Sequence, residues 1–83
     1  MLCFRFGNIY ALYLFIDSIT IVDTDIILGT VSTYLPTMTI NNIARGDGIN
    51  NGSIWFRSNG EIHIKVPKVS AYSCNLIWMA NYD

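Results

Sequence analysis

Apolar residues recur along this chain at a spacing of two or in unbroken runs, and hardly ever at the three-to-four spacing of a helix, so strands separated by turns are predicted throughout. β-branched and aromatic residues are dense, which fits the same reading. Leu2, Phe4 and Phe6 alternate with Cys3 and Arg5, predicting a first strand with one buried face, and Gly7-Asn8 supplies a turn able to adopt positive φ. From Ile9 to Ile16 both alternating sets are apolar: Ile9, Ala11, Tyr13 and Phe15 on one side, Tyr10, Leu12, Leu14 and Ile16 on the other. A strand apolar on both faces is covered on both. In a domain too small for three layers the second cover is a neighbouring subunit, and Tyr10, Leu12, Leu14 and Ile16 are the expected oligomer interface, with Tyr10 and Tyr13 able to hold hydroxyls at a wet rim.

Thr20 to Val22 and Ile26 to Leu28 read as short strands around the turn Asp23-Thr24-Asp25, and Gly29 to Pro36 as an irregular connection whose proline blocks ladder pairing. Thr37 to Ile40 resumes extended structure. Asn41 to Gly52, rich in Asn, Gly and Asp, reads as an exposed loop. The hairpin around Ser58-Asn59-Gly60 has a register that side chains decide. A two-residue loop would set Phe56 against His63 and Ile54 against Lys65, mixing apolar with polar on each face. A three-residue loop with Gly60 left-handed pairs Ile54 with Ile64 and Phe56 with Ile62 on the core side, and Trp55 with His63 and Arg57 with Glu61 outside. The three-residue loop is the prediction. Ala71 to Met79 is the last long strand, with Tyr72, Cys74, Leu76 and Trp78 on one face.

Composition adds a size limit to this pattern. Eighty-three residues make a single domain, 1–83, that buries only roughly 60 to 65% of the surface its unfolded chain exposes. With 52% apolar residues, 13% charged and two cysteines, neither a disulfide framework nor a metal cluster supplies the missing stability, which leaves oligomerisation. A net charge of −1 with scattered basic residues gives no field for nucleic acid. Asp17, Asp23 and Asp25 end the apolar run well short of the ~20 residues that span a bilayer, and no small-residue cleavage site marks a signal peptide. Cys3 and Cys74 can form one disulfide tying the first strand to the last, or stand as two reduced, buried thiols, the reading we favour.

Taken together, four segments in order carry a resemblance. Cys3-Phe4-Arg5-Phe6-Gly7-Asn8-Ile9-Tyr10 is an aromatic, basic, Gly-Asn, β-branched opening strand pair; Ile27-Leu28-Gly29-Thr30 is followed by Tyr34-Leu35-Pro36; Asn59-Gly60-Glu61-Ile62 centres the penultimate hairpin; and Tyr72 to Trp78 forms the terminal strand. In this order and spacing the chain resembles the C-terminal β-sandwich domains of phage tail, tail-fibre and baseplate proteins, the receptor-binding kind. It departs from them in having Leu35 where a basic residue is usual, and in beginning almost on the Gly-Asn hairpin where a further strand is usual, so that a longer tail protein or a neighbour completes the sheet. The resemblance implies an antiparallel jelly-roll-like β-sandwich, a homotrimer, residence in the virion among other tail proteins, and a part in host-surface recognition or in capping a fibre. An accessory domain of a tail-associated hydrolase, itself non-catalytic, fits the same resemblance.

Covalent chemistry finds no support in the residues. The single histidine, His63, has Trp55 as its predicted strand neighbour, not a nucleophile beside an acid, so no enzyme is expected. Asp23, Asp25 and Asp47 lack the alternating ligands and closing glutamate of a calcium loop, and turn formation accounts for them; no metal or cofactor is expected. Asn51-Gly52-Ser53 is a glycosylation sequon of a kind common by chance. The positive candidate is the outer hairpin face: Trp55 can stack on a sugar ring while Arg57, Glu61 and His63 hydrogen-bond hydroxyls. The competing reading has Trp55 and His63 packed against a neighbouring subunit, with Arg57 and Glu61 an ordinary cross-strand ion pair contributing about 0 to 1 kcal/mol.

Overall fold

The structure, a computed structural model, describes residues 2–46 and 51–80. Seven strands account for its regular structure: β1 (Leu2–Phe6), β2 (Ile9–Ile19), β3 (Ile26–Thr30), β4 (Ile40–Ala44), β5 (Gly52–Phe56), β6 (Glu61–Lys65) and β7 (Ser70–Met79). They form two antiparallel sheets, one ordered β1-β2-β7 and the other β3-β6-β5-β4. The all-β expectation is met, with two sheets over one core. At one corner the sheets join, because Arg45 and Ser73 exchange both backbone hydrogen bonds, at 2.8 and 2.9 Å.

The core follows from alternation in both sheets. Tyr10 and Leu12 of β2 and Tyr72, Cys74, Leu76 and Trp78 of β7 meet Ile54 and Phe56 of β5 and Ile62 and Ile64 of β6, all buried. Leu14 and Ile16 pack against this cluster and are half-buried. The four residues expected at an oligomer interface, Tyr10, Leu12, Leu14 and Ile16, therefore face the chain's own second sheet. Both faces of β2 being apolar, alternation could not say which one turned inward. The open face is the other set: Ile9, Tyr13 and Phe15 are exposed and Ala11 half-buried.

β1 departs from its expectation in the same way. Phe4 pairs with Ala11 and Phe6 with Ile9, so both phenylalanines stand on the open side, 62% and 84% exposed. Arg5 turns to the core side, its guanidinium 5.8 Å from the ring centroids of Tyr10 and Tyr34. Residues 20–22 are not a strand; β2 instead runs on to Ile19 through an irregularity between Ile16 and Ile19. Residues 41–44, expected in a loop, are most of β4, paired residue for residue with β5 from Ile40↔Phe56 to Ala44↔Gly52. Asn42 secures the strand sideways: its Oδ1 accepts from the Ile43 N–H and its amide donates to the Asn75 carbonyl of β7. Asp47, and the part of the expected loop at 47–50, lie outside the described residues.

The β5–β6 hairpin has the predicted three-residue loop. Ile54 pairs with Ile64, Trp55 with His63 and Phe56 with Ile62. Gly60 adopts φ +97°, and its N–H donates to the Arg57 carbonyl at 2.9 Å. Cys3 and Cys74 are free thiols, Cys3 exposed and Cys74 buried. They lie on β1 and β7, the strands on either side of β2, two strand spacings or about 10 Å apart, beyond the reach of a disulfide. Burial pushes the Cys74 thiol up to about 11, so it stays protonated and behaves as a small core hydrophobe.

Candidate functional site

The outer face of the β3-β6-β5-β4 sheet gathers the ionisable and aromatic side chains that the hairpin register places together. Trp55 on β5 and His63 on β6 are direct cross-strand partners, and their rings lie nearly parallel, 13° apart with centroids 5.4 Å apart. The imidazole is buried and the indole half-exposed. The outward row predicted from sequence is thus present, with His63 enclosed where an open hydrogen-bonding group was expected.

His63 is held at both ring nitrogens. Nδ1 lies 2.6 Å from Asp25 Oδ1 and Nε2 lies 3.0 Å from Glu61 Oε1. Asp25 comes from the residue before β3, which pairs with β6 through Ile26↔Ile64 and Ile27↔His63. Two carboxylates with one imidazole between them are satisfied together only when the ring carries both protons and donates at each nitrogen. A neutral ring would leave one lone pair facing a carboxylate oxygen. Accordingly the His63 pKa is raised above its ordinary 6.5, first by the hydrogen bond to Asp25 and then by that to Glu61, with burial opposing. The Glu61 carboxyl is held below its ordinary 4.5, first by its hydrogen bond to His63 and then by the Asn59 side chain. The imidazole stacks on the indole, and in its protonated form adds a favourable cation–π contact.

Glu61 therefore turns to His63 rather than forming the expected pair with Arg57. The two residues meet through backbone, the Arg57 N–H donating to the Glu61 carbonyl at 2.9 Å, while the Arg57 side chain is exposed at the hairpin end. Sequence reasoning missed Asp25, assigned only to a turn. The contact spans 38 positions and depends on β3 lying beside β6, which no local pattern announces.

A pH dependence of stability follows, and its direction is fixed by the two shifts. A raised His63 pKa stabilises the fold fully below about 6.5, and that contribution is lost as pH rises through the higher folded value. A lowered Glu61 pKa stabilises above about 4.5 and is lost as pH falls through the lower folded value. Thermal midpoints are expected to be highest between these two limits and to decline on the alkaline side; in His63→Gln the decline between about pH 6.5 and 9 should be absent, while the raised Cys74 thiol still lowers stability above about 9. An unchanged slope between about pH 6.5 and 9 in that variant would show that another group is responsible.

A second concavity, of about 250 Å³, opens between β1 and the connection after β3, lined by Cys3, Tyr10, Leu12, Val31, Tyr34 and Trp78. Its wall is an aromatic column: Tyr34 stacks on Tyr10 at 5.1 Å and Tyr10 on Trp78 at 5.8 Å. Tyr34 sits at φ +56°, a conformation that costs roughly 1–2 kcal/mol for a side-chain-bearing residue, and is held there by the Trp78 indole N–H donating to its carbonyl at 2.8 Å. Sequence reasoning gave this connection no role.

Among the described residues no group of three His, Cys, Asp or Glu side chains is arranged to hold a metal ion. His63, Asp25 and Glu61 satisfy one another, and no serine, threonine or cysteine is hydrogen-bonded to the imidazole, both of whose nitrogens are occupied by the carboxylates. The arrangement can present an aromatic surface, carboxylate acceptors and the exposed Arg57 donor to a polar ligand. Comparisons with protein-family models, with curated proteins and with solved structures found no match to this chain.

Proposed function

We propose that this chain is a non-enzymatic recognition module of the phage-tail kind, a jelly-roll-like sandwich that associates as a homotrimer in the virion and contacts saccharide on a host surface. The observation that carries the reading is the half-exposed Trp55 indole lying parallel to a buried imidazole that two carboxylates grip. An aromatic face flanked by acceptors suits a sugar ring, whose C–H face stacks while its hydroxyls donate. In this reading Trp55 and Arg57 touch the ligand, and Glu61 and Asp25 accept through the carboxylate oxygens not turned to the ring. His63 is a positioning residue that fixes the indole from beneath and orients both carboxylates.

Binding to host cell-wall polysaccharide, or to arrayed glycans, tests this. Trp55→Ala is expected to weaken binding by about tenfold, since stacking contacts of this kind are worth about 0.5–1.5 kcal/mol beyond the area they bury. Its solution mass should not change. Undiminished saccharide binding by Trp55→Ala, or an intact protein that binds no wall saccharide, would contradict the reading. A second reading, a trimerisation or capping module without a ligand, is favoured by the open apolar face of β1-β2-β7; on that reading Trp55→Ala would leave both assembly and mass unchanged, and only changes on the β1-β2-β7 face would disturb them.

A further inference from the structure

The outer face of the β1-β2-β7 sheet carries mostly large apolar side chains. Register aligns Phe6, Ile9 and Met79 in one row across the three strands and Phe4, Ala11 and Ile77 in the next. Phe4, Phe6, Ile77 and Met79 are each more than 60% exposed, and Tyr13 and Phe15 continue the surface along β2. The side chains that β1, β2 and β7 themselves present between the Phe6 row and Phe15 are uncharged, with Asn75 and Ser73 on β7 the polar members; Arg45, after β4, borders the far end beside Tyr13 and Phe15.

Seven partly exposed large side chains of this kind leave on the order of 900 Å² of apolar surface open, taking their fractional exposures against the 150–250 Å² of a large side chain. The largest apolar patch of a typical monomer is about 300–600 Å². The area instead matches the roughly 800 Å² that each partner contributes to a stable protein–protein contact. β1 is also a sheet edge whose outer backbone groups no strand among the described residues pairs, and Arg5, turned to the core side, is its single charged residue.

We infer that this face is the contact through which copies of this chain bind one another, each presenting its β1-β2-β7 sheet to the next. The inference rests on the self-association in the function proposed above and gives it a surface, opposite to the one expected from sequence. Flat sheet faces pack about 10 Å apart with their side chains interleaved, and here the small Ala11 lies mid-face among larger neighbours, where a bulky side chain from another copy fits. The occupant is another copy because the open area matches one partner's share of a stable contact, and the side chains of β1, β2 and β7 that present it are uncharged, so like surfaces do not repel there.

Two measurements decide it. Phe6→Glu/Ile77→Glu is expected to lower the mass by light scattering from a multiple of 9.4 kDa to that of a single chain, while circular dichroism still reports β structure. In parallel, Ala11→Cys in a Cys3→Ser background should link chain to chain with a short bismaleimide, whereas Ser53→Cys in the same background, on the outer side of the other sheet, should not. If the double variant fails to fold, the cross-linking result alone decides. An associated parent whose mass the double variant leaves intact, or an Ala11→Cys chain that does not link, would overturn the surface and leave self-association standing. A parent that is a single chain at every concentration would overturn both, and the face would then belong to a different protein or to another segment of the polypeptide.

Discussion

Gly60→Ala is expected to destabilise the fold by about 3–5 kcal/mol, combining the cost of left-handed backbone for an alanine with an overpacked contact. Gly60 sits at φ +97°, and a methyl group built on it would lie 2.0 Å from the backbone carbonyl oxygen of Val31. That approach is part of the fold's wiring, because the Val31 N–H donates to the Gly60 carbonyl at 2.8 Å and so ties the tip of the β5–β6 hairpin to the end of β3. Gly7 provides the control. It also has positive φ, +62°, but a methyl group there would meet nothing within 4 Å, so Gly7→Ala should lose only the backbone share, roughly 1–2 kcal/mol. Urea denaturation of the two variants measures the difference directly. Equal losses would mean that the close approach at Val31 contributes nothing. A domain of this length has roughly 4–12 kcal/mol of stability in all, so Gly60→Ala should stand near the edge of folding.

Phe56→Ala is expected to cost a comparable amount, about 3–5 kcal/mol, by leaving a cavity between the sheets. Phe56 is fully buried and meets Trp78 edge-on, with ring centroids 4.9 Å apart. Trp78 in turn stacks on Tyr10 and donates to the Tyr34 carbonyl, so the cavity would open beneath the aromatic column that anchors the connection after β3. Loss of the fixed Trp78 environment should appear in near-ultraviolet circular dichroism, together with the fall in the urea midpoint. A loss below about 1 kcal/mol would show that the sheets close over the gap, unlike the usual large-to-small change in a packed core.

How far the fold was legible in sequence depended on whether a segment's pattern had one solution. The β5–β6 hairpin did: only a three-residue loop sorts Ile54, Phe56, Ile62 and Ile64 from Trp55 and His63, and glycine stands where positive φ is needed. β2 had two solutions, because Ile9, Ala11, Tyr13 and Phe15 are as apolar as Tyr10, Leu12, Leu14 and Ile16. The choice is made by which side faces the second sheet, a long-range fact. β1 inherits its orientation from β2 through the Phe4↔Ala11 pair, so its phenylalanines turned outward with it. In β4, two asparagines suggested a loop on local preference, yet pairing with β5 and the Asn42 contact to Asn75 outweigh it. Within the candidate site, Trp55, His63 and Glu61 were brought together by the hairpin itself. Asp25 arrives only through the β3–β6 pairing, and the burial of His63 depends on the same assembly.

The most direct test is the solution mass of the unaltered chain by light scattering across a range of concentrations. With one side of the β1-β2-β7 sheet in the core and the other bearing Phe4, Phe6, Ile77 and Met79 in the open, the proposed self-association predicts a species of three times 9.4 kDa. A folded species that holds at 9.4 kDa at every concentration would contradict it.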